Sequence, residues 1–195
     1  MREELGLSAW VELEAGFMPS GETAACQGAL QEELSWEQRE IVLFGRRVLQ
    51  PRLIAWGGEL PYRYSGQTLP PRPFTPAVAA LVQRVGARQG IAFNHVLANR
   101  YRDGGDSMGF HADDEPELGP DPQVATLSLG ATRSLVVVPR RKRGGERRRY
   151  ALEAGDLFVM GGTCQRHFHH GIPKDPKVMA ERISLTFRQV LRAPS

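Results

Sequence analysis

From Phe93 onward the hydrophobic pattern of this chain keeps a period of two, and that pattern constrains its fold more than any other feature. "FNHVLANRY", "VATLSLG", "SLVVVPR", "DLFVMGG" and "RISLTFRQV" are short runs of alternating or branched apolar residues, separated by Gly, Pro and charged turns. Two helical segments precede them. "PSGETAACQGALQEELSW" spaces Cys26, Leu30 and Leu34 four apart, with Ser20 as the expected N-cap. "PFTPAVAALVQRVGARQG" has Thr75 to cap it, Pro76 in its first turn, a stripe of Val78, Leu81, Val82 and Val85, and Gly90 to stop it. The rest of the opening third reads as an irregular arm. Strands in succession behind two helices imply an α+β chain with a β-sandwich or jelly-roll core. The pairing order of the strands is not contained in the pattern.

At 195 residues the chain suits a single domain with a sizeable core. Its opening "MREELGLSAW" mixes charges of both signs and reads neither as a signal peptide nor as an anchor, and no apolar run reaches membrane-spanning length. Two widely spaced cysteines, Cys26 and Cys164, indicate neither a disulfide framework nor a thiolate zinc site and suit a reducing compartment. The expectation is a monomer in a bacterial cytoplasm, nucleoid-associated, or in a nucleus if the source is eukaryotic. The net charge of +3 is unevenly placed: Arg140 to Arg149 holds seven basic residues against the single acid Glu146. Such a block is either a solvated loop or a grip on phosphates.

The acidic stretch "GFHADDEPELG" stands out against that balance. On a strand or its extended end, His111 and Asp113 project to the same side, so one imidazole nitrogen and one carboxylate oxygen can meet a single ion. A second histidine would complete a two-His, one-carboxylate face, which suits non-haem Fe(II) oxygen chemistry. "CQRHFHHGIP" offers His167, His169 and His170, and spacing does not choose among them. His95 has no evident partner and reads as structural. In "RISLTFRQV", Arg182, Ser184, Thr186 and Arg188 face one way and Ile183, Leu185 and Phe187 the other. The two arginines stand about 20 Å apart along the strand, and their long side chains can converge on the ends of a short diacid through paired hydrogen bonds. Asn99 and Tyr101 in "ANRY" share a strand face and add polar contacts to such a ligand.

With these motifs the sequence resembles the AlkB family of Fe(II)- and 2-oxoglutarate-dependent dioxygenases, which repair alkylated nucleic acid bases. The likeness runs from about Leu43 to Val190 through "PRLIAW", "YRYSG", "NRYRDGGDSMGFHADDE", "SLGATR", "HGIP" and "RISLTFR", in the family's order. It is nearest to the duplex-DNA-preferring members. The resemblance implies one domain over 1–195: N-terminal helices and a nucleotide-recognition lid over about 1–90, and a double-stranded β-helix, a jelly roll, over about 91–195. It implies iron held by His111, Asp113 and His170, and 2-oxoglutarate held by Asn99, Tyr101, Arg182 and Arg188. Three protein ligands leave room for the cosubstrate and O2. The implied activity is oxidative demethylation of N1-methyladenine and N3-methylcytosine in DNA, by hydroxylation of the N-methyl group and release of formaldehyde.

A base inside a duplex must be extruded before its pairing edge can react. The resemblance makes Tyr64 the aromatic that stacks on the flipped base, with His111 on its other side, Tyr62 and Ser65 at the rim, and Arg52 among the substrate contacts. Asp114, freed by its one-residue offset from Asp113, would accept a hydrogen bond from the exocyclic amine of the cationic base, with Glu115 assisting. Asp106 and Glu117 read as plain surface acids. Phe44, with Leu43, stands where the relatives insert an apolar wedge into the stack, and the Arg140 to Arg149 segment falls where they have a variable hairpin. Three departures stand out: Ser184 replaces asparagine beside the cosubstrate, Gly57 replaces an aromatic residue, and "PKDPKVMAER" lacks a contiguous basic triplet although it has Lys174 and Lys177. Two alternatives are the same chemistry on RNA or another substrate, and a non-enzymatic jelly-roll module with a structural metal. The paired arginines disfavour the last, because a structural metal needs no diacid clamp.

Overall fold

The computed structural model describes residues 1–43, 45–64, 66–141 and 146–192. The elements in chain order are β1 (Arg2–Gly6), β2 (Ala9–Glu14), α1 (Ser20–Glu33), β3 (Glu40–Leu43), β4 (Arg46–Leu49), β5 (Leu53–Gly58), β6 (Tyr62–Tyr64) and β7 (Gln67–Leu69). They continue with α2 (Pro76–Gln89), β8 (His95–Tyr101), β9 (Met108–His111), a 3-10 turn (Pro116–Leu118), β10 (Val124–Gly130), β11 (Arg133–Pro139) and β12 (Arg148–Leu152). The chain closes with β13 (Leu157–Gly162), the short α3 (Cys164–His167), β14 (Phe168–Ile172) and β15 (Arg182–Arg188).

Two antiparallel sheets face each other. The major sheet has the order β1-β2-β13-β10-β15-β8-β5, and the minor sheet β12-β11-β14-β9. β15, the strand of the two arginines, lies between β10 and β8 inside the major sheet, where its backbone is paired on both edges. Its alternation is resolved by the layers: Ile183, Leu185 and Phe187 pack with Leu30 of α1 and Val78, Leu81 and Val85 of α2. The opposite face, with Arg182, Ser184, Thr186 and Arg188, looks into the space between the sheets. Tyr101, Val124 and Phe158 of the major sheet meet Leu135 and Val137 of the minor one there. Both faces of this strand are therefore buried, the charged one as fully as the apolar one.

The opening third holds more sheet than its reading as a helix and an irregular arm expects. β1 and β2 form a hairpin on the edge of the major sheet, and β5 forms its other edge. The acids of β2 disguise the strand in the sequence; in the fold, Glu12 and Glu14 pair with Arg88 at 3.6 and 2.8 Å. The cap of α1 also differs. Pro19 occupies that position, its carbonyl accepting from Glu22 N at 2.9 Å, and Ser20 is the first helical residue. α2 follows its sequence signals: the Thr75 hydroxyl accepts from Val78 N, and Gly90 takes the left-handed conformation at φ 66°. Thr75→Ala should cost about 1 kcal/mol, read as a lower urea midpoint with an unchanged slope.

Candidate metal centre and adjoining pockets

His111 at the end of β9 and His170 in β14 face each other as register partners in the minor sheet. Their ring centroids are 4.3 Å apart. Asp113 follows two residues after His111, and ligand atoms of all three side chains lie within 4.8 Å of one another. This selects His170 from the three candidate histidines on geometry. Of the other two, His169 projects elsewhere on the same strand and His167 ends α3.

The surroundings hold each group in the protonation state that a cation requires. His111 Nδ1 lies 2.9 Å from Gly109 O; donation there leaves Nε2 as the lone-pair nitrogen. Burial pushes the His170 imidazole down to about 3, with His111 beside it acting in the same direction, so it is neutral. Burial opposes ionisation of Asp113, but the Arg188 guanidinium and the two histidines override it and bring the carboxyl to about 2. Arg188 Nη2 donates to Asp113 Oδ1 at 2.7 Å, and Asp113 N donates to Gln165 Oε1 at 2.9 Å. Asp113 Oδ2 is buried with no hydrogen-bond partner and lies 3.7 Å from His170 Nε2. An ionised oxygen left unmatched in a buried site, facing two neutral imidazoles, fits a divalent cation.

Behind the triad lies a narrow cavity bounded by Tyr101, Thr126, Arg182, Ser184, Thr186 and Arg188 among others. Arg182 is 1% exposed. Its Nη2 donates to Ser128 Oγ at 2.8 Å, while Nε and Nη1 have no partner. Among the described residues no carboxylate lies within ion-pair distance of it, and the neighbouring Tyr101 hydroxyl also lacks a partner. A buried guanidinium without a counter-ion is costly unless an anionic ligand completes it. Arg188, at the other end of the strand, keeps Nε and Nη1 unmatched beside the metal ligands. This cavity therefore suits a dicarboxylate that reaches from Arg182 to the metal centre. Asn99 sits at its flank: Oδ1 accepts from Arg52 Nε at 2.7 Å, and Nδ2 is unpartnered. The Thr126 contribution was available in "VATLSLG", where Thr126 and Ser128 alternate with apolar residues and stand opposite Thr186 and Ser184. Gln165, which secures the Asp113 amide, carries no such signal.

A second, open cleft of about 250 Å³ adjoins the triad at His111, lined by Ile41, Arg52, Tyr64, Phe110, His111 and Glu115 among others. Tyr64 is buried, and its hydroxyl accepts from Arg52 Nη2 at 2.5 Å, which fixes the ring against the cleft. Arg52 thus touches both Tyr64 and Asn99. Glu115 lies on the cleft wall; burial, with Asp113 adding to it, raises its carboxyl to about 7. Asp114 is exposed and pairs with Arg140 at 2.5 Å.

Three expectations need correction. Tyr62 is not at a rim: it is 0% exposed, packs its ring tilted against His95 with the centroids 4.6 Å apart and donates to Glu115 Oε2 at 2.8 Å, because β6 turns it inward against β5 and β8. Asp106 is buried and receives Arg102 through both of its oxygens at 2.8 and 2.9 Å. Glu117 is buried beside Arg63, 4.0 Å away. Neither is a plain surface acid. His95 is buried against Tyr62 and outside the triad, its imidazole held down to about 3 by burial. Phe44 and Ser65 lie outside the described residues, as does the 142–145 part of the basic segment. The hairpin of β3 and β4 that flanks Phe44 does reach the open cleft through Ile41. A Cβ on Gly57 would come within 2.7 Å of the Phe74 ring, so Phe74 occupies the space of the missing side chain.

Residues 11–188 match the family model described as "2OG-Fe(II) oxygenase superfamily". The chain is 38% identical over 190 residues to rat "Alpha-ketoglutarate-dependent dioxygenase alkB homolog 3", covering 93% of this chain and 64% of the relative. The human protein of that name is 37% identical, with 93% and 66% covered. Human "DNA oxidative demethylase ALKBH2" is 39% identical over 159 residues, covering 77% of this chain and 61% of the relative. The chain thus spans roughly two thirds of the length of these relatives. "The structure of OsALKBH1" superposes with a TM-score of 0.60 at 18% identity, covering 97% of this chain and 100% of that one, which supports the fold.

Proposed function

This chain belongs to the AlkB family within the 2OG-Fe(II) oxygenase superfamily, and we propose that it is an Fe(II)- and 2-oxoglutarate-dependent oxidative demethylase of N-alkylated bases in DNA, acting on N1-methyladenine and N3-methylcytosine. The observation that carries this reading is the shared cavity: a His-Asp-His triad at one end and a buried arginine without a counter-ion at the other. A binding module with a structural metal has no use for the second feature.

Iron, with 2-oxoglutarate and O2, supplies the oxidising power to hydroxylate an N-methyl carbon. The residues of the chain bind, orient and enclose. His111, Asp113 and His170 would hold the metal, and Arg188 keeps Asp113 ionised. Arg182 and Tyr101 take the distal carboxylate of the cosubstrate, while Ser184 and Thr186 line its path. On the substrate side the extruded base enters the open cleft and stacks on Tyr64, whose ring Arg52 holds in place. A carboxylate on the pairing edge, from Glu115 on the cleft wall or from Asp114 once it leaves Arg140, accepts from the exocyclic amine and favours the cationic, methylated form. The hydroxymethyl nitrogen then loses formaldehyde without a protein nucleophile.

The test is incubation with Fe(II) and 2-oxoglutarate and with DNA or RNA oligonucleotides bearing one methylated base, single-stranded or paired. The expected result is loss of one methylene unit from DNA. Unchanged DNA beside demethylated RNA would replace the substrate, and metal binding without turnover on either would leave the non-enzymatic alternative.

A further inference from the structure

A third concavity, of about 510 Å³, is lined by Leu7, Arg140, Arg141, Arg166 and His167. No acid lines it. Three chain segments build it: the β1–β2 turn brings Leu7, the end of β11 brings Arg140 and Arg141, and α3 brings Arg166 and His167. Backbone bonds fasten these pieces together, Arg140 N donating to His167 O at 2.9 Å and Thr163 N to Ser8 O at 3.2 Å. Two carboxylates touch its arginines from the edge: Asp114 pairs with Arg140 and Asp121 with Arg166 at 2.8 Å. Among the described residues Arg141 has no partner. Three guanidinium groups against two carboxylates leave positive charge unmatched in a concave site.

The site is tied to the metal centre by two short links. Arg140 Nη2 donates to Asp114, the neighbour of the ligand Asp113, and also to Gln165 O at 2.9 Å. Gln165 in turn accepts from the Asp113 backbone amide. An anion that engages Arg140 here is therefore linked to Asp114 and Gln165, the chain neighbour and the hydrogen-bond partner of the ligand Asp113.

We propose that this pocket seats one backbone phosphodiester of the lesion-bearing strand, close to the extruded nucleotide, and that Arg140 exchanges Asp114 for that phosphate as it binds. The inference rests on the nucleic-acid reading above and adds a site with Arg166 and His167, which that reading does not use. The exchange has a consequence for recognition. Asp114 is occupied by Arg140 in the free protein, and a phosphate that draws Arg140 away frees the carboxylate for the base. Backbone engagement then precedes lesion recognition.

The test uses a single-stranded DNA oligonucleotide with one N3-methylcytosine, in which each linkage near the lesion is replaced in turn by an uncharged methylphosphonate. Binding to the parent protein and to Arg141→Ala/Arg166→Ala is measured across a salt series, without turnover. Retention of the 2-oxoglutarate thermal shift shows that the variant is folded. One neutral linkage should weaken binding to the parent and have no further effect on the variant, whose logarithmic salt slope should be shallower by about 0.7, the value for one single-strand phosphate contact. A variant with the parent's salt slope, or with the parent's loss at every neutral linkage, overturns the pocket. Inorganic phosphate alone that competes as well as the oligonucleotide would also overturn it, since a free anion would then be the ligand. Failure of the demethylase reading looks different: the parent then removes no methyl group from this oligonucleotide or its RNA counterpart when Fe(II) and 2-oxoglutarate are supplied.

Discussion

Arg182→Met is expected to be as stable as the parent protein without 2-oxoglutarate, or more so, while losing most of its affinity for the cosubstrate. The two effects have one cause. In the free protein Arg182 is a buried cation with two unmatched donors, and exchange of such a charge for an apolar side chain of similar length is neutral or stabilising. With the cosubstrate present, the same guanidinium is the partner of a carboxylate, and a charge-assisted contact of that kind contributes up to about 3 kcal/mol, roughly a hundredfold in affinity. Thermal unfolding with and without 2-oxoglutarate checks both statements at once. The parent should gain stability on addition and the variant should not. A variant that unfolds at much lower temperature without the cosubstrate would mean that the arginine serves the fold.

The metal ligands should separate in the opposite sense. His111→Ala should abolish turnover and weaken Fe(II) binding on the order of a hundredfold or more, since loss of an outer-shell partner alone is worth 10–100-fold. Its effect on folding should be small, because the ring is only partly buried and its protein hydrogen bond is to Gly109 O alone. Asp113→Ala should also abolish turnover but, in addition, destabilise the protein by about 3–5 kcal/mol, because it leaves Arg188 buried without its ion-pair partner. Isothermal titration with Fe(II) under anaerobic conditions, paired with urea unfolding of each variant, tests the distinction. An active His111→Ala protein would remove the metal assignment.

Local rules made part of this legible in the sequence. The period of two exposed the central strands, Thr75 and Gly90 bounded α2, and the one-residue spacing of His111 and Asp113 projected both toward one ion. The alternation in "RISLTFR" assigned the arginines to one face, but not that face to the interior. That depends on the minor sheet closing over it, and each sheet is built from pairings between strands far apart in the chain, such as β15 with β10 and β8 in the major one. The same limit governs the errors. Asp106 and Glu117 look like surface acids because the arginines that accompany them come from other elements or need a turn to converge. Tyr62 stands in a strand of three residues, too short for a period, so its inward direction follows only from packing against β5 and β8. The Glu12 and Glu14 pairing with Arg88 hides β2 for the same reason: the charges that make it read as an arm are satisfied by a helix more than seventy positions away. The pocket of Arg140, Arg141, Arg166 and His167 is the clearest case, since it draws on three segments and belongs to no motif.

The most direct measurement is the yield of demethylated base, formaldehyde and succinate from one methylated DNA oligonucleotide, with Fe(II), 2-oxoglutarate and O2 each withheld in turn. The three products should form in equal amounts with everything present, and none of the demethylated base or formaldehyde should form when any component is missing. Demethylation that continues without iron or 2-oxoglutarate would contradict the proposed function, and so would tight binding of both with no methyl group removed.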